Sequence, residues 1–390
     1  MGYDFSTLQP HSQAKLDILK TYLESWIWKV TQHKSSIHKG CCLMIDGFAG
    51  KGEHNDDKVG SPLIMIETAV RFFNSAFNTN LSAKRVRILV IENDATTFQD
   101  LCSSIDNKYG TSLCSGEGRQ TIPDYPGIEV LIRKGRFADE LTKFLEAEKN
   151  LEPSICFADP SGYLQVPLGL ARSYLRQPSS EFFVNFIYEE FNRFISVPKA
   201  NTKSALNMPE ADHEIFATSL KGLPAIERRE RIALLFADRF HAHGAQYVHS
   251  FDIRKSGKLK MILFFGTNSL EGLKLMKKVM WNQGEIGHYV FDDRKNPQQM
   301  QFEFVAEIDE AQHILSLSNL ILAEFQGQSS VSINTIEHFV LVKTIFPVLR
   351  EKLILQALNR LSEERRITVE DKHRYKNGRI IWSKADISFV

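Results

Sequence analysis

Short runs of consecutive apolar residues alternate with amphipathic segments through the first half of the chain. An apolar run that ends in turn residues indicates a buried strand, and apolar positions three and four residues apart indicate a helix. By this pattern the strands occupy residues 41–45, 86–91, 128–132, 154–158 and 182–187. The helices between and before them occupy residues 14–30, 63–73 and 137–149. Strands that alternate with helices predict a parallel sheet of the α/β class.

The pattern changes after the fifth strand. Residues 201–242 are polar and largely helical, which indicates an insertion rather than part of the sheet. Two further strands, at residues 246–253 and 260–266, flank a Ser-Gly turn and predict a hairpin. Crossover helices produce parallel neighbours and a hairpin produces an antiparallel one. We therefore predict a Rossmann-like, mostly parallel sheet that ends in an antiparallel hairpin.

The C-terminal part has a different order of elements. Two short, paired strands are predicted at residues 288–294 and 301–306, followed by a helix at residues 312–324. From residue 334 the pattern is helix, turn, helix, and then a hairpin over residues 367–381 with an Asn-Gly turn. That order resembles a winged helix. The predicted domains are a Rossmann-like domain, a connector and a winged-helix-like domain, over residues 1–290, 291–330 and 331–390.

Charge is distributed unevenly between these regions. The whole chain has a formal net charge of +1, which argues against a wholly basic nucleic-acid coat. Residues 331–390 contain 11 Lys and Arg against 7 Asp and Glu, a local net charge of +4. We expect the last hairpin to contact nucleic-acid phosphates, although a winged helix that docks a protein is the alternative. The hairpin's basic residues are Lys372, Arg374, Lys376 and Arg379.

Composition indicates in which cellular compartment the protein is found. Hydrophobic residues make up 43% and charged residues 24% of the chain, as in ordinary soluble globular proteins, and no apolar stretch is long enough to cross a bilayer. The N-terminus lacks the basic and apolar regions of a signal peptide. The five cysteines are odd in number and show no Cys-x-x-Cys spacing, which disfavours a disulfide framework or a zinc site. We expect a cytoplasmic protein without membrane contact.

Acidic residues stand at the ends of three predicted strands, as Asp46, Glu92 and Asp159. Ligands of a parallel sheet bind outside the carboxyl ends of the strands, glycines let the backbone approach a ligand, and an acid after the second strand can accept both ribose hydroxyls. A plain tight turn, with each acid as a helix cap or turn residue, is the alternative. The predicted cofactor-binding residues are Asp46, Gly47, Phe48, Ala49, Gly50, Gly52 and Glu92.

The segment after the fourth strand, Asp159-Pro160-Ser161-Gly162-Tyr163, resembles the (Asp/Asn/Ser)-Pro-Pro-(Tyr/Phe) motif of nucleic-acid amino-methyltransferases. In that motif the polar residue accepts hydrogen bonds from the target amino group and the aromatic ring stacks on an extruded base. Here Ser-Gly interrupts the pattern and the aromatic residue comes one position late. The predicted catalytic residues are Asp159, Pro160 and Tyr163.

Several segments together resemble the three-Cys-motif partner (TcmP) family, over most of residues 10–285. The resemblance implies a class I fold of S-adenosylmethionine (SAM)-dependent methyltransferases, SAM as the cofactor, and a protein partner encoded nearby. The segment Asp46 to Gly50 is also similar to the Asp-x-Phe-Ala-Gly motif of cytosine-C5 methyltransferases, but no Pro-Cys nucleophile follows the fourth strand. The segments that carry the family resemblance are 19–26, 45–50, 60–62, 91–92, 157–162, 184–186 and 275–281.

Three functions are compatible with these residues. The first is a SAM-dependent methyltransferase that acts on nucleic acid. The second is a non-catalytic partner or scaffold subunit that binds nucleic acid. The third is a metal-dependent nuclease-like site, in which Asp46, Glu92, Asp159 and Glu189 hold Mg²⁺. His241 and His243 lack a nearby third ligand, and we expect surface histidines there.

Overall fold

The computed structural model describes residues 9–32, 40–53, 58–75, 84–113, 118–148, 150–162, 165–166, 168–177, 179–195, 209–284, 289–293, 303–369 and 380–390. The chain divides into two compact units. The first unit comprises Met1–Leu275 and Val290–Arg294, and the second comprises Met276–Tyr289 and Lys295–Val390. No helix of the described residues is long and apolar enough to cross a membrane.

The first unit is an α/β structure in which strands and helices alternate. Its strands are β1 Cys41–Asp46, β2 Arg85–Glu92, β3 Arg119–Ile122, β4 Tyr125–Lys134, β5 Ser154–Ala158, β6 Ser180–Phe186, β7 Tyr247–Lys255, β8 Lys258–Thr267 and β9 Val290–Asp292. Its helices are α1 Pro10–Gln32, α2 Ser61–Asn74, α3 Ala95–Tyr109, α4 Phe137–Ala147, α5 Leu168–Leu175, α6 Tyr188–Phe194, α7 Glu210–Ser219 and α8 Ala225–Ala242. Helix α9, Leu270–Gln283, contains the boundary between the units.

These strands form one sheet with the order β3-β4-β2-β1-β5-β6-β8-β7-β9. Strands β4, β2, β1, β5 and β6 are parallel, and β8 is antiparallel to both β6 and β7. The chain proceeds outward from β1 through β2 to β4 and then returns to the other side of β1 with β5. The architecture is therefore the predicted Rossmann-like sheet with its antiparallel hairpin. The reversal between β1 and β5 is a topological switch point, where ligands of such sheets bind.

Aromatic packing holds the helical insertion against the β6–β8 side of this sheet. The described part of the predicted insertion is helical, as α7 and α8. Phe236 of α8 lies in the core, with its ring stacked on Phe264 of β8 at a centroid distance of 5.2 Å. The ring of Phe186, at the end of β6, contacts that of Phe236 with 3.9 Å between the ring centroids. Burial of these large rings gives α8 a fixed position on the sheet.

The structure differs from the sequence analysis at two places. Strand β3 was missed because it is a polar edge strand in which only Ile122 is buried, so residues 119–122 resemble a surface loop. The predicted pairing of residues 288–294 with 301–306 is wrong. Strand β9 instead pairs in parallel with β7, from Asp252 opposite Val290. Residues 303–306 belong to a helix. Periodicity alone cannot distinguish a helix from a strand in so short an apolar run.

The second unit contains a long helix, two further helices and a small sheet. Helix α10 spans Glu303–Phe325, β10 Val331–Ser332, α11 Ile333–Lys343, α12 Leu355–Glu363, β11 Ile367–Val369 and β12 Asp386–Phe389. A π-helical turn, Arg350–Ile354, runs directly into α12, and a 3₁₀ turn, Trp382–Lys384, precedes β12. The three strands are antiparallel in the order β10-β12-β11.

The predicted last hairpin differs from the structure at its second strand. The partner of β11 is β12, which lies beyond residue 381. The alternation of buried Ile387 and Phe389 with exposed Asp386 and half-buried Ser388 is the strand signal that was missed. The predicted turn and Lys372, Arg374, Lys376 and Arg379 lie outside the described residues, and the winged helix stays a prediction.

Candidate functional site

The carboxyl ends of β1, β2, β5 and β6 lie along one edge of the sheet because these strands are parallel. Asp46 is the last residue of β1, Glu92 is the last residue of β2, and Asp159 directly follows β5. Asn185 is the penultimate residue of β6. The structure therefore brings the three predicted acids to the same edge, on both sides of the switch point.

Asp46 is fully buried at this edge. Its Oδ1 atom accepts a hydrogen bond from the backbone N–H of Phe48 at 3.1 Å, whereas no described residue donates to Oδ2. Burial raises the pKa of this carboxyl to about 7; the nearby Ser61 hydroxyl and the Phe48 N–H group oppose the rise, and the Asp159 and Glu92 carboxylates add to it. A buried acceptor without a donor is unfavourable, so Oδ2 is suited to a ligand that donates a hydrogen bond.

The glycine loop after β1 crosses to the end of β2. Ala49 donates its N–H to the carbonyl oxygen of Ile91 at 3.1 Å, and Gly50 donates to Oε2 of Glu92 at 2.9 Å. Gly50 has φ +63° and Gly52 has φ +84°, the left-handed conformation that glycine adopts without strain. The loop continues to Gly60, whose N–H donates to the carbonyl oxygen of Gly52. Backbone geometry, as well as room for a ligand, therefore explains these glycines.

Gly47 has a packing role that the sequence did not indicate. A Cβ atom at this position would lie 2.5 Å from two ring carbons of Phe137, the first residue of α4. The Phe137 ring also contacts Phe48, with 5.1 Å between ring centroids. Phe137 thus fixes the start of the loop from the side of α4.

Glu92 uses both carboxylate oxygens to hold the surrounding backbone. Oε2 accepts from Gly50, and Oε1 accepts from the N–H of Asp94 at 2.8 Å. Each carboxylate oxygen has a second lone pair, so Glu92 retains the capacity to accept from two ligand hydroxyls. Asp94 has a different task, because its side chain caps α3 by accepting from the N–H groups of Thr96 and Thr97.

Asp159 lies at the centre of a polar cluster formed by three elements. The Nζ atom of Lys15 in α1 lies 2.7 Å from its Oδ1 and 2.6 Å from its Oδ2. Asn185 donates from Nδ2 to Oδ1 at 2.6 Å, while the Oδ1 atom of Asn185 has no donor among the described residues. Lys15 is 5% exposed and Asn185 is 1% exposed. Oδ2 of Asp159 and Oδ1 of Asn185 therefore remain able to accept hydrogen bonds from a ligand.

Lys15 was missed by the sequence analysis, and Asn185 was not assigned a role. A signal existed for both, because each is a polar residue within an apolar pattern. Lys15 is flanked by Ala14 and Leu16 and shares the apolar face of α1 with Leu19, and Asn185 interrupts an apolar strand. Lysine is almost never fully buried without a partner, so such a position predicts an ion pair.

A second basic contact lies beside this cluster. The Nζ atom of Lys260, near the start of β8, is 3.1 Å from Nε2 of His11. Burial, together with the charges of Lys260 and Lys15, lowers the pKa of His11 to about 4. The neutral ring therefore accepts the Lys260 hydrogen bond through Nε2, because an ammonium group can only donate.

The remaining predicted residues have different positions. Pro160 is buried directly after Asp159, and the backbone N–H of Ser161 donates to Gln165 at 2.9 Å. Tyr163 lies outside the described residues. Glu189 is exposed in the first turn of α6. No described group of three or more His, Cys, Asp or Glu side chains is arranged to hold a metal ion, so the four carboxylates of the Mg²⁺ hypothesis do not form a cluster.

The expectation of surface histidines is wrong for His243, which is 7% exposed. Gly244, at φ +110°, turns the chain so that this segment packs on the end of α5. His241 is exposed, and its Nδ1 atom lies 2.8 Å from the carbonyl oxygen of Ala245.

A cavity of about 500 Å³ lies between the end of the glycine loop and the side of α3. It does not include Asp46, Glu92 or Asp159. Its lining residues are Lys51, Glu53, Asp100, Ser103, Ser104, Asn107 and Lys108.

No protein-family model and no curated protein matches the chain, so the resemblance to the TcmP family stays a hypothesis. Among solved structures, Trm1 from Pyrococcus horikoshii in complex with SAM is similar at 12% identity and a TM-score of 0.39, over 71% of this chain and 61% of that one. The chain thus spans less than two-thirds of the Trm1 structure. The O-methyltransferase TomG from Streptomyces achromogenes with SAM has 11% identity and a TM-score of 0.31, over 68% and 83%. Fibrillarin from Aeropyrum pernix with SAM has 12% identity and a TM-score of 0.26, over 64% and 76%.

Proposed function

We propose that the chain is a SAM-dependent methyltransferase of the TcmP type that acts on nucleic acid. The observation that carries the proposal is the arrangement of Asp46, Glu92 and Asp159 on both sides of the β1–β5 switch point. Two of these acids adjoin a glycine loop, and the third lies in a separate polar cluster. A site divided in this way provides one half for a cofactor and the other for the group that is modified.

The cofactor half fits the polar groups of SAM. Oδ2 of Asp46 is a buried acceptor with no described donor, which matches an ammonium or hydroxyl group of the ligand. Glu92 holds the loop and retains lone pairs for the ribose hydroxyls. When bound, SAM supplies an electrophilic methyl group that needs no activation by the protein. The task of the loop and the two acids is then to orient the cofactor.

The substrate half fits an exocyclic amino group of a base. Such a group has two N–H donors, and the cluster offers two acceptors, Oδ2 of Asp159 and Oδ1 of Asn185. Lys15 fixes the orientation of Asp159, because the ammonium group contacts both carboxylate oxygens. A base must leave the stack to bring its amino group to this cluster, as in other enzymes that modify bases.

The alternative is a non-catalytic scaffold subunit that binds nucleic acid and a protein partner. One observation favours it: Asp159 is already satisfied by Lys15 and Asn185, so the cluster can stabilise the fold without any substrate. Under that hypothesis the Ser161-Gly162 interruption marks a motif that no longer catalyses transfer.

Calorimetry with SAM separates the two hypotheses. We expect wild-type protein to bind SAM and Glu92→Ala to bind it at least tenfold more weakly, since each hydrogen bond to a charged group contributes about 1.5–3 kcal/mol. Asp159→Ala should retain SAM affinity and lose methyl transfer to nucleic acid. Asp94→Asn, which preserves a helix cap two residues from Glu92, serves as the control and should bind SAM normally. Wild-type protein that does not bind SAM would contradict the proposal.

A further inference from the structure

His243 is a buried histidine for which the described structure provides no hydrogen-bond partner. The residue is 7% exposed, and neither Nδ1 nor Nε2 has a partner among the described residues. A neutral imidazole presents one donor and one acceptor, and burying both without partners is costly. Native structures rarely keep such groups unsatisfied. Because no described residue satisfies the ring, it is a candidate contact for a bound group.

Three arginines lie near this ring. Arg172 and Arg176 lie one turn apart at the end of α5, and Arg239 lies one turn before His243 at the end of α8. Burial lowers the pKa of His243, and the charges of the three arginines lower it as well, with no opposing acidic side chain among the described residues. A Cβ atom at Gly244 would lie 3.8 Å from Cγ of Arg176, which shows how closely the end of α5 approaches this turn.

The arginines have no described carboxylate as a partner. No ion pair or side-chain hydrogen bond joins Arg172, Arg176 or Arg239 to another residue within the described ranges. Cations at helix C-termini are favourable, which explains the presence of each arginine singly. The helix dipole does not explain why three arginines lie near one buried histidine that has no described partner. An anion would satisfy both the guanidinium charges and the N–H group of the ring.

We propose that Arg172, Arg176, Arg239 and His243 form a phosphate-binding site. Guanidinium groups donate pairs of parallel N–H groups that match phosphate oxygens, and the imidazole N–H adds a donor at the buried end. The phosphate belongs either to a nucleic-acid backbone or to a small phosphorylated molecule. Both sources present the same chemistry to these residues.

The site lies at the opposite edge of the sheet from Asp46 and Asp159. Gly266, at the end of β8, is packed against Phe240 and Ala245, so the residues on either side of His243 lie at this end of β8. Strand β8 is antiparallel to β6, with Gly266 opposite Phe182 near the start of β6. The phosphate site is therefore at the amino edge of the parallel strands, and its existence does not depend on SAM binding.

Titration of the full-length protein with three probes tests the site: inorganic phosphate, adenosine monophosphate and a fluorescein-labelled oligonucleotide. Binding of the small probes is measured by calorimetry and that of the oligonucleotide by fluorescence anisotropy, at constant ionic strength. The test variant is Arg172→Ala/Arg176→Ala, which changes two exposed side chains. The matched control is Arg193→Ala/Arg231→Ala, which removes the same charge from α6 and α8 away from the cluster.

We expect the test variant to bind at least one probe at least tenfold more weakly, while the control stays within about twofold of wild type. Loss of the small probes identifies a small phosphorylated ligand, and loss of the oligonucleotide alone identifies a nucleic-acid backbone. Equal affinities of the test variant, the control and wild type for all three probes overturn the proposal.

His243→Phe gives a second, independent measurement. Replacing an unsatisfied polar ring by an apolar one should leave the unliganded protein as stable as wild type or more stable. Phosphate should raise the melting temperature of wild type and not that of His243→Phe. The same increase in both proteins, relative to sodium chloride of equal ionic strength, contradicts a role for the ring in binding.

Discussion

The Nζ atom of Lys15 lies within 2.7 Å of both carboxylate oxygens of Asp159, 144 positions later in the chain. This ion pair joins the first helix to the end of β5 at the switch point. Its side chains are 7% and 23% exposed, so the charges are poorly screened by water. The pair therefore influences both the stability of the fold and the hydrogen bonds that Asp159 can still accept.

Removing Lys15 alone should be strongly destabilising. Lys15→Met leaves a carboxylate with no opposing charge, and breaking a buried ion pair costs about 3–5 kcal/mol of unfolding free energy. Lys15→Met/Asp159→Asn removes both charges and should recover part of that loss. Urea unfolding measures both variants. The control is Lys29→Met. Lys29 lies on the same helix and forms an exposed ion pair with Glu271, so this substitution should lower the free energy of unfolding by only about 0–1 kcal/mol. Equal losses for Lys15→Met and Lys29→Met would contradict the buried pair.

If the chain binds SAM as proposed, Asp46 should make that binding dependent on pH. Because burial raises the pKa of Asp46 to about 7, the carboxyl is largely protonated below that pH. A ligand that donates a hydrogen bond to Oδ2 binds the ionised form better. SAM affinity should therefore rise as the pH increases from 6 to 8, and calorimetry at intermediate values should show the change. Asp46→Asn should remove this dependence, and an equally steep rise in that variant would assign it to another group.

The two halves of the glycine loop should differ in how they tolerate alanine. Gly47→Ala places Cβ 2.5 Å from the buried Phe137 ring, and overpacking of this kind costs about 1–3 kcal/mol. Gly50→Ala meets no atom within 4 Å, but its φ of +63° costs about 1–2 kcal/mol. Gly47→Ala/Phe137→Leu should recover stability in urea unfolding. Gly50→Asn should be milder than Gly50→Ala, because asparagine adopts the left-handed conformation more readily.

Lys277 gives the second unit a pH-dependent stability. It is 2% exposed, and its Nζ atom donates to the carbonyl oxygens of Leu341 and Thr344 at the end of α11, at 3.1 and 2.8 Å. Burial lowers its pKa from 10.5 to about 7. Between pH 7 and 10.5, Lys277 is protonated in the unfolded chain and largely neutral in the folded chain. The contribution of Lys277 to the free energy of unfolding therefore rises with pH in this range.

The slope in that range is at most about 1.4 kcal/mol per pH unit. Urea unfolding at pH 7, 8 and 9 should show a shallower dependence for Lys277→Met than for wild type. Lys278→Met changes the neighbouring exposed lysine and should retain the wild-type slope. Parallel curves for wild type and Lys277→Met would contradict the assignment.

The predicted nucleic-acid contacts of the last hairpin are testable without deleting the tail. Leu317 and Ile321 of α10 share a core with Ile387 of β12, so deletion of residues 331–390 would expose apolar surface. Replacing the four basic residues by glutamine avoids this problem. Oligonucleotide affinity should fall. The slope of log affinity against log salt concentration should become shallower by about 0.7–0.9 for each phosphate that the variant no longer neutralises. An unchanged slope would favour a hairpin that docks a protein. The four residues are Lys372, Arg374, Lys376 and Arg379.

The order of the main strands and helices could be predicted from the sequence, because apolar periodicity reports directly which face of each element is buried. The positions of Asp46, Glu92 and Asp159 at strand ends were predictable as well, since they follow from where each apolar run stops. The prediction failed at β3 and β12, where polar edge residues or a short alternating segment give a weak signal.

The interactions between these residues became evident only from the packing of the folded chain. Glu92 holds Gly50, 42 positions away, and Gly47 is excluded from bearing a side chain by Phe137. The contacts of Lys15 and Asn185 with Asp159, and the proximity of three arginines to His243, became evident only when distant helices and strands came together. Such contacts depend on how elements pack in three dimensions, and a local pattern of apolar and polar positions carries no information about the distance between residues far apart in the chain.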